Sequence, residues 1–281
     1  MKSQRWEFLY QLSRNRSALL GIACLLALLS IAIIGPWFYR DSPWDMVASP
    51  LLWPGEDSHY LLGTDIMGRD LASGIVSGAR VSLLIGLVSA TIAAVCGITI
   101  GALGGYYGGK CDNVLMRLTE IFQTIPNFVL AVVLVAIFKP SVATIVLSIG
   151  IVSWPATARL VRAQFMSLRE REFVLAGRAM GMSDIRLIFT QILPNALPPV
   201  IVLSTMTVAS AIQTEAALAF LGLGDPNVMS WGTIIGGGRE QLIDAWYICG
   251  FPGLAIMVAV LGFNLLGESF NDAFNPRLRE R

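Results

Sequence analysis

Stretches without a charged residue alternate with short polar segments along this chain, and the lengths of the apolar stretches fix the expected architecture. Charge-free runs cover Ser17 to Tyr39, Val81 to Tyr107, Ile121 to Phe138, Pro140 to Ala158, Leu187 to Thr214 with a weaker continuation to Gly224, and Trp246 to Gly267. A helix rises about 1.5 Å per residue, so roughly 20 residues cross a hydrocarbon core about 30 Å thick. Each run is near or above that length, with the third and fourth close to the minimum. The expectation is an all-α, polytopic membrane protein with six transmembrane helices. The first run follows Lys2, Arg5, Arg14 and Arg16 and so resembles a secretory signal. Its 23 residues exceed a signal's apolar region of about 7 to 15, which predicts a retained first helix.

Orientation follows from lysine and arginine, which are retained on the cytoplasmic side of helix ends. With both termini inside, 15 of the 20 basic residues lie inside, leaving Arg40, Arg69, Arg80, Lys139 and Arg239 outside. Two outer loops remain, about 40–80 and 225–245. The first is acidic, carrying Asp41, Asp45, Glu56, Asp57, Asp65 and Asp70 with the single histidine His59, and Pro43, Pro50 and Pro54 predict an irregular path. Most of those charges are expected to be solvated. An acidic outer face also suits capture of a cationic partner surface.

The most polar interval between two apolar runs is Arg159 to Pro194, predicted to be cytoplasmic. It holds Arg159, Arg162, Arg169, Arg171, Arg178 and Arg186, and in their midst the small residues Ala176, Gly177, Ala179 and Gly181. Gly177 and Gly181 are four apart, expected on one helical face, where missing side chains admit a close partner. Glycine inside a helix costs about 1 kcal/mol relative to alanine, so two of them point to proximity or bending. Ser183 and Asp184 are expected to cap the next short helix. Pro194, Pro198 and Pro199 are expected to form a stiff elbow back into the membrane.

Composition agrees with the pattern. Of 281 residues 55% are hydrophobic and 14% charged, and the mean hydropathy is +0.66, too apolar for an ordinary soluble domain. A formal net charge of +1 gives no polyelectrolyte case for nucleic acid. Cys24, Cys96, Cys111 and Cys249 lie in or beside apolar runs with no C-x-x-C pair, so neither a metal site nor a disulfide framework is expected.

Candidate chemistry is sparse. Gly104 to Cys111 nearly spells a phosphate-binding loop, but Cys111 stands where a hydroxyl should meet magnesium, and the segment leaves a membrane helix instead of a buried strand. The same glycines fit a packing ridge better: Gly97, Gly101, Gly105 and Gly109 recur every four residues. Such a ridge is expected against a helix of this chain or of a second membrane subunit. No nucleophile motif accompanies the lone histidine. Glu215, late in the fifth run, is a costly carboxylate at membrane depth. It is either a pathway or relay group, or a structural acceptor pinning a broken helix near the outer surface. The structural role is preferred, because one acid has no evident relay partner. Glu120 is expected to be an interfacial charge.

Three motifs resemble a known family. Leu62-Gly63-Thr64-Asp65-Ile66-Met67-Gly68-Arg69-Asp70, then Gly78-Ala79-Arg80-Val81-Ser82-Leu83, is similar to the signature before the second helix in the second membrane subunit of dipeptide, oligopeptide and nickel ATP-binding-cassette importers. Glu215 to Gly224 with Ser230-Trp231-Gly232 resembles that family's fifth helix and following outer loop. The interval Leu175, Ala176, Gly177, Gly181, Gln191, Leu193, Pro194 resembles its cytoplasmic loop pattern E-A-A, three residues, G, nine residues, I-x-L-P. Leu175, Gly177 and Gln191 depart from that pattern, while Glu172 and Asn195 fit the peptide-importer variant. The likeness extends through Asn275-Pro276-Arg277-Leu278-Arg279.

The resemblance implies a type I importer permease fold in a bacterial inner membrane, N-in and C-in. It implies a heterodimer with a homologous permease, two cytoplasmic ATP-binding subunits, and an extracytoplasmic solute-binding protein. Cofactors are expected only on partners, as ATP and magnesium, with no nucleic acid. The chain is expected to be a non-enzymatic half of the path for a peptide, or alternatively for nickel or a metal chelate; a stand-alone secondary transporter is the rival, against which no internal repeat is found. The ATPase-coupling residues are expected to be Glu172, Ala176, Gly177, Arg178, Ala179, Gly181, Leu193 and Pro194. Asp65, Arg69, Asp70 and Trp231 are expected to meet the binding protein, and Gly97, Gly101 and Gly105 to pack helices. The division expected is 1–79 for the first helix and outer loop, 80–270 for a five-helix core with a coupling helix near 170–182, and 271–281 for a cytoplasmic tail.

Overall fold

The computed structural model describes residues 15–39 and 42–274. The basic residues Lys2, Arg5, Arg14, Arg40, Arg277, Arg279 and Arg281, the acid Asp41, and the closing motif from Asn275 all lie outside them. The described chain is helical with only isolated bridges, and five helices are long and apolar enough to span a membrane, six if one bent pair counts as a single span.

Helix α1 (Arg16–Phe38) starts on Asn15, whose side-chain oxygen accepts the Ser17 N–H at 2.9 Å. Pro36 inside this helix has no N–H for the Ala32 carbonyl, four residues back. Arg80 supplies the missing donor: its guanidinium bonds the Ala32 carbonyl, and also that of Ile33 at 3.3 Å. Arg80 was expected at a loop end, yet it lies inside α2 (Leu71–Tyr107). This second helix starts ten residues before the apolar run, because Asp70 caps it by accepting from the Ala72 and Ser73 N–H groups. Burial raises the Asp70 carboxyl above its ordinary range, opposed by those two bonds. The boundary expected at 79/80 therefore falls inside one continuous helix.

The third run is broken. Helices α3 (Gly109–Thr124) and α4 (Asn127–Phe138) meet at 83° around Pro126, whose ring disfavours helical geometry in the residue before it. Helix α5 (Val142–Arg169) outruns its apolar stretch, so Arg159, Arg162 and Arg169 extend a span and do not belong to a separate docking helix. Short helices α6 (Glu172–Ala179) and α7 (Asp184–Leu187) follow. Then comes a π turn at Ile188–Ile192, α8 (Leu193–Phe220), α9 (Trp231–Gly238) and α10 (Tyr247–Phe274).

The proline elbow is absent. Pro194, Pro198 and Pro199 all lie within α8, and the preceding π turn, in which the Leu193 N–H donates to Ile188 five residues back, lets the helix continue.

The glycine ridge packs inside this chain. A side chain on Gly97 would meet Thr157 Cβ at 2.5 Å, on Gly101 the Ala158 carbonyl and Val161, and on Gly105 Phe165 Cβ at 2.6 Å, all on α5. Backbone approach of that kind replaces side-chain interdigitation between α2 and α5. Gly109 departs from the ridge: its φ is +54° and open space surrounds its Cα.

Candidate functional site: a stitched cytoplasmic segment and a buried outer latch

The cytoplasmic segment is built from the spans outward. Val174 and Gly177 are buried on α6, and Val174 shares one apolar core with Tyr106 of α2, Val161 and Phe165 of α5, Leu187 of α7 and Ala196 of α8. Gly177 is small because Leu187 Cδ2 and Met182 Sδ would lie 2.9 and 3.0 Å from a side chain there. Gly177 therefore faces its own protein, contrary to its expected role as a contact for a partner.

Gly181 is not on the helix at all. It adopts φ +77° just beyond α6, and its N–H donates to Arg178 O while Met182 N–H donates to Gly177 O. This pair of bonds is a Schellman ending, for which glycine is the favoured residue because it carries no Cβ in left-handed geometry. Leu193 and Pro194 likewise belong to the start of α8 and are separate from the docking helix. Ser183 stands at the N-cap of α7, but its side chain makes no capping bond.

Polar contacts tie the same segment to α2. The Tyr106 hydroxyl donates to Asp184 at 2.6 Å, and the Arg178 guanidinium lies 5.9 Å from the Tyr106 ring centre. Arg169 donates to the carbonyls of Gly105 and Tyr106 at 3.2 and 3.3 Å, filling acceptors left open at the C-terminal end of α2. Arg162 grips Asp112 of α3 with bonds of 2.5 and 2.6 Å. Three of the six arginines, Arg162, Arg169 and Arg178, thus organise the intracellular ends of the spans.

Outward, α6 and its C-cap residue Met180 expose large apolar side chains among charged ones. Phe173, Leu175 and Met180 are 42, 46 and 76% exposed, amid exposed Glu172, Ala176, Arg178 and Ala179. Leu175, a departure from the glutamate of the loop pattern, lies on this outward face.

On the outer side, the Asp65–Asp70 motif is a folding device. Asp65 accepts from the backbone of Met67 and Arg69 at 2.8 and 2.9 Å, and the Arg69 guanidinium lies 4.7 Å from the Trp44 ring centre. Thr64 binds Ser49 and Leu52, and the Tyr247 hydroxyl donates to Leu52 O and Thr64 O at 2.8 and 3.1 Å. The loop follows an irregular path and is ordered by these bonds. His59, with Asp57 beside it at 3.3 Å, is exposed.

Trp231 was expected to meet the binding protein, and it is fully buried. Its backbone N–H donates to Ser82 Oγ at 3.1 Å and its indole N–H to Ile75 O at 3.0 Å, both on α2. Next to it, Ser230 caps α9 and donates its hydroxyl to Glu215 Oε1 at 2.6 Å. Glu215 is 1% exposed; its Oε1 joins α8 to α9 through Ser230, while its buried Oε2 has no hydrogen-bond partner among the described residues. The helix is unbroken at Glu215 and ends at Phe220, where Gly222 repeats the Schellman geometry with φ +84°. Glu215→Ala is expected to destabilise the assembled protein by about 2–4 kcal/mol through a cavity and a Ser230 hydroxyl left with only the longer Thr233 Oγ1 acceptor at 3.3 Å, whereas Glu215→Gln keeps an acceptor and costs under about 1.5 kcal/mol. Thermal unfolding in detergent checks the difference; equal losses in both variants would contradict it.

Five long apolar helices and a broken sixth, with a basic segment between the fourth and fifth of these spans, define an integral membrane protein. Residues 97–280 match the family described as the binding-protein-dependent transport system inner membrane component, and residues 3–54 match the N-terminal TM domain of oligopeptide transport permease C. The chain belongs to this family, and it is a permease subunit of an ATP-binding-cassette importer in the inner membrane.

It is 40% identical to the di/tripeptide transport system permease protein DppC of Pseudomonas aeruginosa (strain UCBPP-PA14), over 97% of this chain and 92% of that protein. It is 37% identical to the dipeptide transport system permease protein DppC of Haemophilus influenzae (strain ATCC 51907 / DSM 11121 / KW20 / Rd), over 99% and 97%. Among solved structures it resembles an inward-facing form of the MetNI methionine ABC transporter, with a TM-score of 0.58, 19% identity, and coverage of 72% of this chain and 96% of that one. That likeness concerns the fold, a type I permease.

Proposed function

We propose that the chain forms half of the translocation path for a short peptide, paired with a homologous permease, and that two cytoplasmic ATP-binding subunits drive it through α6. An external solute-binding protein delivers the cargo. ATP and magnesium belong to the ATP-binding subunits, and this chain contributes no catalytic group. The observation that carries the coupling role is the two-faced α6: Val174 and Gly177 lock it to the core shared by α2, α5, α7 and α8, while Phe173, Leu175 and Met180 face outward. A push on the outward face is transmitted to four packed elements, because close-packed interiors shift as units and do not deform continuously. Closure of the ATP-binding subunits then switches the permease pair between inward-open and outward-open forms.

Peptide as cargo rests on the names of the relatives, which include di/tripeptide and dipeptide permeases across nearly the whole chain. The residues preferred as binding-protein contacts are the exposed ones of the outer loop. Asp65, Arg69 and Asp70 contribute by shaping that loop. In vesicles holding the complete transporter, adding the binding protein with trialanine is expected to raise ATP hydrolysis several-fold and to accumulate the peptide. Stimulation by a nickel chelate and not by trialanine would overturn the peptide assignment.

A further inference from the structure

A cavity of about 630 Å³ lies between the amphipathic α3 and the cytoplasmic half of α5. Asp112, Thr119, Glu120 and Gln123 line it from α3, and Arg159 and Arg162 from α5. Its size falls in the range of small-molecule sites, about 300–1,000 Å³. Its lining is polar, which suits a solute in transit better than a tightly held apolar ligand.

The charges in this wall do not cancel. Arg162 is neutralised by Asp112 through two short bonds, and Glu120 is paired with Arg117 at 3.0 Å. Arg159 is left over: among the described residues no carboxylate lies within 4.0 Å of its guanidinium. Counted from Val142, Arg159 sits about 26 Å along α5, toward the inner edge of a hydrocarbon core of about 30 Å. Ionisable groups at such a depth face protein or a water-filled path, and they mark routes for solutes.

We propose that this cavity is a station on the solute's way to the cytoplasm, where Arg159 receives the terminal carboxylate of a transported peptide. The proposal deepens the peptide reading above and rests on it. A guanidinium meets a carboxylate with two parallel N–H···O bonds, and every linear peptide ends in that group whatever its side chains. Thr119 and Gln123 offer neutral donors and acceptors for the peptide backbone without selecting a sequence. The Arg162–Asp112 pair keeps the wall in place and leaves its second cation unspent. A lipid phosphate presents the same oxyanion chemistry, and the test separates the two sources.

The complete transporter with its binding protein is reconstituted in vesicles of phosphatidylcholine alone and in vesicles with added phosphatidylglycerol. Uptake of trialanine is compared with uptake of trialanine amide. The preference of the binding protein cancels when the ratio is compared between the parent chain and its variants. Arg159→Gln is expected to lower the trialanine-to-amide ratio about fivefold in both lipids, the modest factor an exposed charged contact supports. Arg159→Lys, which keeps the charge but loses the paired N–H···O geometry, is expected to give a ratio between those of the parent and Arg159→Gln, and shows that the position tolerates change. An unchanged ratio in Arg159→Gln, an equal loss for both peptides, or a ratio that moves only with phosphatidylglycerol would each overturn the proposal. A parent transporter that moves neither peptide refutes the peptide reading itself, and this station with it.

Discussion

Replacing Leu175 and Met180 together by aspartate is expected to lower solute-stimulated ATP hydrolysis at least about tenfold, while the permease itself still folds. Both side chains are exposed, Leu175 at 46% and Met180 at 76%, so the substitution removes little internal packing. Placed in an apolar interface, an unpaired carboxylate costs several kcal/mol, and each 1.4 kcal/mol is a factor of ten in affinity. Solute-stimulated ATP hydrolysis in reconstituted vesicles is the measurement. Normal stimulation in the double variant would mean that the outward face of α6 carries no coupling.

Gly101→Val is expected to prevent accumulation of the folded chain. The added side chain would run into the Ala158 carbonyl, would come within 2.8 Å of Val161 Cβ, and would force α5 away from α2 along a seam that also holds Gly97 and Gly105. Overpacking costs about 1–3 kcal/mol even where a side chain can yield, and here the obstacle is backbone. Gly253→Ala is the control: it lies in α10 with open space around it, so it is expected to be neutral or slightly stabilising. Membrane abundance and thermal unfolding of the two variants should therefore diverge. Similar abundance would remove the seam's claim to be a close-packing element.

Hydropathy made the spans legible, because bilayer thickness sets a length that composition either meets or misses. It did not reveal where helices outrun the membrane. The amphipathic α3 and the polar end of α5 continue as helix through polar sequence, where apolarity gives no signal. The bend before α4 was available in Pro126, a residue the apolar count passes over.

The glycine ridge was legible from spacing, and its partner α5 was one of the alternatives left open. Gly177 and Gly181 were grouped by the same arithmetic, and there it misled. One is buried under Leu187 and the other ends the helix at positive φ, a distinction that spacing cannot make. Trp231 lies in a segment read as outer loop, but a loop residue can turn inward when a neighbouring helix offers acceptors, here Ile75 O on α2.

The contacts missed from sequence were tertiary: Tyr106 to Asp184, Arg162 to Asp112, and Arg169 to the end of α2. A sequence signal existed for one of them. Asp112 is the first acid after the second span, on the side where arginines collect. Such an acid invites pairing, although nothing in the chain's order chooses Arg162 over its neighbours.

The most direct test of ATP coupling through α6 is a photo-cross-linking residue placed at Leu175 in the complete transporter. A covalent product with an ATP-binding subunit, at a yield that changes between nucleotide-free and ATP-bound states, is the expected result. Cross-links confined to lipid or to the permease pair, unaltered by nucleotide, would contradict it.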